Sequence, residues 1–137
     1  MERAIEFELD VDGGSRQLHP IVRDEVYRIG YEAIRNACVH SEGSRVMVEL
    51  SYAQNLIVRV RDNGKGIAPE IAANGKAGHF GVIGMRERAA KLRARLTLSS
   101  PRGSGTLVEL VVPQRIAFPQ SKADRRRPFE RIKRFFG

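Results

Sequence analysis

The sequence contains one cysteine, Cys38, no tryptophan and no long run of apolar residues. A single cysteine excludes an intramolecular disulfide and a metal site built from several cysteines. No stretch approaches the roughly 20 apolar residues that a membrane helix needs. The N-terminus leads from Met1 into alternating sequence and not into the apolar core of a signal peptide, so a cytoplasmic location is expected.

Basic residues are concentrated at one end of the chain, which has 137 residues and a formal net charge of +8. Residues 114–137 hold eight Lys or Arg and two acidic residues, which leaves 16 basic and 14 acidic residues before them. A nucleic-acid binder is one explanation of the net charge, but the body of the chain is nearly balanced. We expect one globular domain, residues 1–113, and a basic tail, residues 114–137, that is disordered or forms a short amphipathic helix.

Hydrophobic periodicity predicts two helices and five strands. Apolar residues three and four apart predict one helix from residue 21 to about residue 40, with Pro20 at its start, and another over residues 84–93. Alternation predicts strands at residues 4–11, 45–52, 55–62, 95–100 and 106–112. The pattern predicts an α+β two-layer sandwich, with a mixed, mostly antiparallel five-stranded sheet and helices on one face.

The first predicted helix carries a polar stripe, because Arg28, Glu32, Asn36 and His40 recur every four residues. For a helix considered alone, a solvated face with an Arg28–Glu32 ion pair is the favoured interpretation. The alternative is a catalytic stripe. In that case a carboxylate acts as a general base, and an amide oxygen one turn away ligates Mg²⁺.

Three glycine-containing motifs follow. Asp62-Asn63-Gly64-Lys65-Gly66 comes directly after an apolar strand. It is either a turn or a carboxylate beside a pocket, where it could accept a hydrogen bond from an amine such as that of adenine. In residues 78–88, glycines immediately precede the start of a predicted helix, and a helix N-terminus favours anions. Gly-Ser-Gly-Thr at residues 103–106 precedes the last strand. Each motif alone is a weak signal.

In their order and context, these motifs resemble those of the Bergerat-fold ATPases: gyrase B subunits, the ninety-kilodalton heat-shock chaperones, mismatch-repair ATPases and histidine kinases. The resemblance covers residues 18–113 and is greatest to histidine kinases. Tyr27-Arg28-Ile29 before Glu32-Ala33, Asn36-Ala37 after it, and Gly84-Met85-Arg86-Glu87-Arg88-Ala89 are similar to the subfamily whose partner regulators carry a LuxR-type helix-turn-helix. The resemblance implies the Bergerat ATP-binding fold and a protein-histidine kinase that uses ATP and Mg²⁺.

The resemblance also implies a role for each matching residue. Asn36 is expected to ligate Mg²⁺, Glu32 to be the acid/base residue or to orient the metal's water, and Asp62 to bind the adenine amine. Residues 67–80 correspond to the ATP lid. The implied nucleotide-binding residues are Asn36, His40, Asp62, Gly64, Lys65, Gly66, Ile67, Gly81, Val82, Gly84, Met85 and Thr106.

The glycines and the threonine of this set have separate expected roles. Gly64 and Gly66 are expected to shape the pocket, since a residue without a side chain lets backbone approach closely. Gly81 and Gly84 are expected to bring backbone N–H groups to the phosphates. Thr106 is expected to line the adenine side.

The chain departs from its relatives at two positions of these motifs. Many relatives carry a basic residue where this chain has Val39, so the phosphate charge is expected to be met by Mg²⁺ together with His40, Lys65 or Lys76. Val82 stands where leucine is common, which is a conservative change.

None of the three histidines, His19, His40 and His79, has the helical context and the basic–acidic flanks expected of a phosphoacceptor. We therefore expect the phosphoacceptor histidine on a dimerisation domain that is not in this chain, with a response regulator engaged only indirectly. The isolated chain is expected to be a monomer that binds ATP without phosphorylating itself. A membrane anchor, if there is one, is expected in the parent kinase.

Two other functions remain open from the sequence. A free-standing serine kinase of the anti-sigma type shares the fold and the size, although residues 84–88 favour the histidine kinases. A non-catalytic nucleotide-sensing or interaction module is the second alternative, and the presence of Glu32, Asn36 and Asp62 argues against it. Binding of nucleic acid is not expected, since the excess positive charge lies in the tail.

Overall fold

The computed structural model of the chain describes residues 4–68, 81–100 and 105–119. Its elements in chain order are β1 (Glu6–Asp12), α1 (Pro20–Arg35), a π-helical turn (Asn36–His40), β2 (Arg45–Ser51), β3 (Leu56–Asp62), α2 (Val82–Lys91), β4 (Arg95–Ser99), β5 (Thr106–Val112) and α3 (Gln114–Ala117). The strands form one sheet in the order β1-β2-β3-β5-β4. β1 is parallel to β2 and the other pairs are antiparallel, which confirms the predicted mixed sheet.

The two faces of the sheet have opposite character. The face toward α1 and α2 is apolar and forms the core, to which Val60, Leu98 and Val108 belong. On the other face Arg59 Nε lies 2.6 Å from a carboxylate oxygen of Glu109. Such partly exposed pairs contribute at most about 1 kcal/mol each, so burial of the apolar face is the main source of stability. The predicted two-layer sandwich with helices on one face is therefore confirmed.

The first helix begins as predicted and ends differently. Pro20 stands in the first turn of α1, where its missing N–H is not needed. From Asn36 to His40 the backbone widens into a π-helical turn, and the Ser41 N–H donates to the Asn36 carbonyl at 3.1 Å. A regular helix to residue 40 was predicted. The wider turn rotates Asn36 and His40 relative to the preceding turns, which a count of four-residue steps does not reveal.

The packed domain continues past Pro113. Ile116, Ala117 and Phe118 are buried, and Phe118 is 1% exposed. The Arg16 guanidinium lies over the Phe118 ring, 3.8 Å from its centroid. Residues 116–118, which the sequence pattern assigned to the basic tail, thus add to the core. Three apolar residues in a row are too few to show a period, and neighbouring charges hide them.

Two segments with predicted roles fall largely outside the described residues. Only Ile67 and Ala68 of the expected lid, residues 67–80, are described, so Lys76 and His79 are not. The expected tail is described as far as Pro119. Within the described ranges, no helix combines the length and the apolar character needed to cross a bilayer.

Candidate nucleotide-binding site

A cavity of about 270 Å³ lies between the helices and the sheet, and we call it the first cavity. Its volume is near the lower end of the roughly 300–1,000 Å³ of small-molecule sites. Eight predicted nucleotide-binding residues line it: Asn36, His40, Asp62, Lys65, Gly66, Ile67, Val82 and Thr106. Ala68, which falls in the predicted lid, also lines it, and six further lining residues were not predicted: Ala33, Ala37, Ser41, Val60, Leu98 and Val108. Most of these are apolar, so from sequence they are indistinguishable from ordinary core residues.

Asp62 is the principal polar group on the sheet side of the first cavity. It ends β3 and lies opposite Thr106, the first residue of β5. Its Oδ1 accepts a hydrogen bond from the Gly64 N–H at 2.9 Å. Burial raises the pKa of the Asp62 carboxyl above its ordinary value of 3.8, and hydrogen bonds from the backbone of Gly64 and Thr106 lower it by less. A carboxylate can accept about four hydrogen bonds, so Asp62 retains capacity for a donor in the cavity.

The apolar walls of the first cavity suit a flat ring. Val60, Val108 and Leu98 form one row across three neighbouring strands. Ala33 and Ala37 face this row from α1 and the π-helical turn, and their small side chains leave space between the layers. An apolar slot with one acceptor carboxylate in its wall fits adenine, which has apolar faces and an amine donor on its edge.

The glycines after Asp62 are required by close contacts within the protein. A Cβ at Gly64 would overlap the Ser41 carbonyl, which also accepts a hydrogen bond from the Lys65 N–H at 2.8 Å. Gly66 has φ +80°, and a Cβ there would overlap Ser100 Oγ. These contacts hold the loop after β3 against the end of the π-helical turn. Gly66 lines the first cavity, whereas Gly64 does not line it and packs against Ser41.

Ser41 is a structural residue of this corner that the sequence analysis did not identify. Its hydroxyl donates to the Ala37 carbonyl at 2.6 Å and accepts from the Gly43 N–H at 3.0 Å. Ser41 therefore closes the π-helical turn. The available sequence signal was a serine in a helix-breaking segment, where such side-chain-to-backbone bonds are common.

A second cavity, of about 280 Å³, contains four more of the predicted residues, Glu32, Gly81, Gly84 and Met85, whereas Gly64 lines neither cavity. It is lined by Tyr27, Arg28, Tyr31, Glu32, Gly81, Gly84, Met85 and Arg88. Val82 lines the first cavity, so the first turn of α2 stands between the two spaces. The predicted polar stripe is consequently divided: Arg28 and Glu32 face the second cavity, and Asn36 and His40 face the first.

Glu32 lies against the start of α2. Gly81, with φ +73°, precedes that helix, and a Cβ at Gly81 would overlap the Glu32 carboxylate. Within the described residues the ion pair of Glu32 is with Arg35, at 3.8 Å, and not with Arg28. The Glu32 side chain is about a quarter exposed. It is therefore packed beside the backbone N–H groups of a helix N-terminus, where negative charge is favoured.

Gly84 differs from the other glycines of the site. It lies in the first turn of α2, and a Cβ built on it meets no described atom within 4 Å. Neither a positive φ nor a close neighbour requires glycine there. The missing side chain leaves open space on the wall of the second cavity.

Comparison with known proteins places this site in a family. The family model described as histidine kinase-, DNA gyrase B-, and HSP90-like ATPase matches residues 21–116. Among curated proteins, the chain is 31% identical over 110 residues to the signal transduction histidine-protein kinase/phosphatase DegS of Bacillus subtilis, covering 80% of this chain and 29% of DegS. It is 36% identical over 107 residues to the sensor histidine kinase LiaS of the same organism, covering 77% and 28%. The chain thus spans less than a third of the length of these relatives.

Solved structures agree in fold. The histidine kinase AdeS of Acinetobacter baumannii superposes with a TM-score of 0.66 at 20% identity, over 80% of this chain and 54% of that one. The mycobacterial sensor histidine kinase MprB gives 0.61 at 21% identity, over 85% and 84%.

The fold is that of the solved sensor histidine kinase domains. The chain belongs to the histidine kinase-, DNA gyrase B-, and HSP90-like ATPase family. The predicted family and the predicted Bergerat fold are confirmed.

Proposed function

We propose that the chain binds Mg²⁺-ATP in the first cavity and transfers the γ-phosphoryl group to a histidine on a separate dimerisation domain. One observation carries the proposal: Asn36, Asp62 and Thr106, which are far apart in sequence, converge on one apolar slot. The histidine-kinase names of DegS and LiaS support the choice of histidine as acceptor. A response regulator would then receive the phosphoryl group from that domain.

Different residues of the first cavity contact the adenine and the phosphates of the nucleotide. Adenine lies between the strand row and Ala33 and Ala37, and its amine donates to Asp62. Asn36 and His40 lie on the π-helical turn, toward which the phosphates extend. The side-chain oxygen of Asn36 is the kind of hard ligand that Mg²⁺ takes alongside phosphate oxygens. Bound Mg²⁺ supplies neutralisation of the phosphate charge.

The start of α2 and the second cavity serve the transferred phosphoryl group. The backbone around Gly81 and Gly84 presents N–H groups at a helix N-terminus, which is suited to anions. Glu32 lies on the other side of that turn. There it would act as the acid/base residue of the transfer, or would orient a water molecule of bound Mg²⁺. Lys65 lines the first cavity and adds positive charge near the phosphates.

Asn36→Ala should remove the dependence of ATP binding on Mg²⁺. Calorimetry of the wild-type chain should show ATP binding that is tighter with Mg²⁺ than with a chelator. In Asn36→Ala the two values should become equal, with a loss of about 10–100-fold in the presence of Mg²⁺, which is typical for an impaired metal site. Gln54→Ala, in the exposed connection between β2 and β3, is the control and should behave as wild type.

The outcomes separate the proposal from its alternatives. If the folded wild-type chain does not bind ATP, the nucleotide site is refuted. If ATP binds but no supplied histidine-bearing dimerisation domain is phosphorylated, transfer to histidine is refuted, and a nucleotide-sensing module takes its place. Phosphorylation of a serine-bearing partner instead would identify a serine kinase.

Gly84→Ala should stabilise the protein and weaken nucleotide binding. Alanine in place of a helical glycine stabilises by about 0.5–1 kcal/mol, because it lowers the entropy of the unfolded chain. Gly30 in α1 is a matched control, since a Cβ there also meets no described atom within 4 Å. Thermal unfolding should show both variants stabilised, whereas calorimetry should show weaker ATP binding only for Gly84→Ala. Equal ATP affinity in the two variants would mean that no ligand approaches Gly84.

A further inference from the structure

The inner face of β1 is apolar and largely uncovered. Phe7, Leu9 and Val11 are 52%, 59% and 48% exposed. In register they lie beside β2 residues that belong to the core or pack against it: Val46, Val48 and Leu50. Registered neighbours point to the same side of a sheet. The three side chains, which we call the β1 face, therefore continue the core surface across the edge strand.

The charges of β1 select the kind of occupant that this face accepts. Glu6, Glu8, Asp10 and Asp12 alternate with the apolar residues and point to the other side of the strand. Arg45 of β2 pairs with Glu6 and Glu8, so Asp10 and Asp12 are the carboxylates that an occupant would meet. Two copies paired along β1 would bring like charges together, which disfavours edge-to-edge association. A segment with apolar and basic side chains is complementary to the strand.

The C-terminal segment, residues 120–137, has this complementary composition. It contains seven Lys or Arg and two acidic residues. It also contains four large apolar residues: Phe129, Ile132, Phe135 and Phe136.

The chain leaves the described domain beside the end of β1. The rings of Phe118 and Tyr52 have centroids 6.3 Å apart, and the Tyr52 N–H donates to the Asp12 carbonyl at 2.9 Å. β1 has seven residues and is therefore about 20 Å long. The segment from residue 120 to residue 137 can span up to about 60 Å when extended. It is long enough to return along the whole strand.

We propose that residues 120–137 dock on the β1 face, with their apolar side chains over Phe7, Leu9 and Val11 and their basic side chains reaching around the edge strand to Asp10 and Asp12. Docking removes apolar surface from water on both partners. The proposal does not depend on nucleotide binding.

A fluorescent reporter in the full chain tests the proposal. The wild-type sequence has no tryptophan, so Leu9→Trp provides a single emitter on the β1 face and keeps a residue type that favours strands. Its acrylamide quenching should rise at least about two-fold when Phe129, Ile132, Phe135 and Phe136 are all replaced by serine, because the apolar cover is then lost. Val39→Trp is the matched control, since Val39 is 58% exposed and lies in the π-helical turn and not on β1. Its quenching should not respond to the serine substitutions.

A second measurement requires no reporter. Hydrogen exchange of the β1 amides should be faster in the serine-substituted full chain than in wild type, because the docked segment protects the strand from local opening. Equal quenching and equal exchange with and without the serine substitutions would overturn the proposal. The proposal would also be overturned if the protection of the β1 amides decreased on dilution and were unaffected by the serine substitutions, since a second copy of the chain would then cover the face.

Discussion

Asp62→Asn should weaken ATP binding by about 100-fold, because a hydrogen bond to a charged acceptor is lost and a donor is left unpaired. The new amide oxygen can still accept from the Gly64 N–H, which lies 2.9 Å from Asp62 Oδ1. Its NH₂ group then faces the adenine amine, donor against donor. Calorimetry measures the loss. Asp24→Asn, at a side chain that is 66% exposed, is the control and should bind ATP as wild type does.

The pH dependence of stability gives a second signature of Asp62. Burial raises the pKa of this carboxyl in the folded state above 3.8. Its contribution to stability is therefore complete below the ordinary pKa and is lost as the pH rises through the raised value. The free energy of unfolding of Asp62→Asn minus that of wild type should thus increase with pH across this window. The ATP affinity of the wild type should decrease as the pH is lowered, because acid protonates the Asp62 carboxylate that accepts the hydrogen bond from adenine.

If Asp62→Asn binds ATP as tightly as wild type, the Asp62 carboxylate does not bind the adenine ring. If the stability difference is flat with pH, Asp62 is not buried as the structure has it. Urea unfolding followed by circular dichroism measures the stability difference without the need for a tryptophan.

Glu32→Gln should slow phosphoryl transfer by about 10²–10⁴-fold, the usual contribution of a general base, and leave ATP affinity nearly unchanged. Glutamine has the same shape, so the packing against Gly81 at the start of α2 is kept. Because Glu32 lines the second cavity and not the first, it does not contact the adenine slot. Binding and transfer are therefore expected to separate in this variant.

The transfer assay needs labelled ATP, Mg²⁺ and a histidine-bearing dimerisation domain supplied as acceptor. Glu49→Gln is a matched control, because Glu49 is 28% exposed, close to the 25% of Glu32, and lies on the opposite face of the sheet. It should transfer at the wild-type rate. If Glu32→Gln retains full transfer activity, the Glu32 carboxylate takes no part in phosphoryl transfer and only packs against Gly81.

Local sequence patterns determined most of the elements. Alternation places Val58 and Val60 on one face of β3, and Pro20 sets the start of α1, because strand and helix periods and a fixed φ act over a few residues. The motif around Asp62 and the Glu32–Asn36 spacing together indicated a nucleotide site and its family. These signals are local, so they need no knowledge of which elements become neighbours.

The tertiary structure decided which of these residues share a cavity. Strand order brings Thr106 opposite Asp62, and a π-helical turn sets Asn36 and His40 into the first cavity while Glu32 lines the second. It also buried Phe118 and left Leu9 exposed, although both are large apolar residues. The reason is physical: burial and register depend on contacts between segments far apart in the chain, whereas a sequence period reports only which side of one element is apolar.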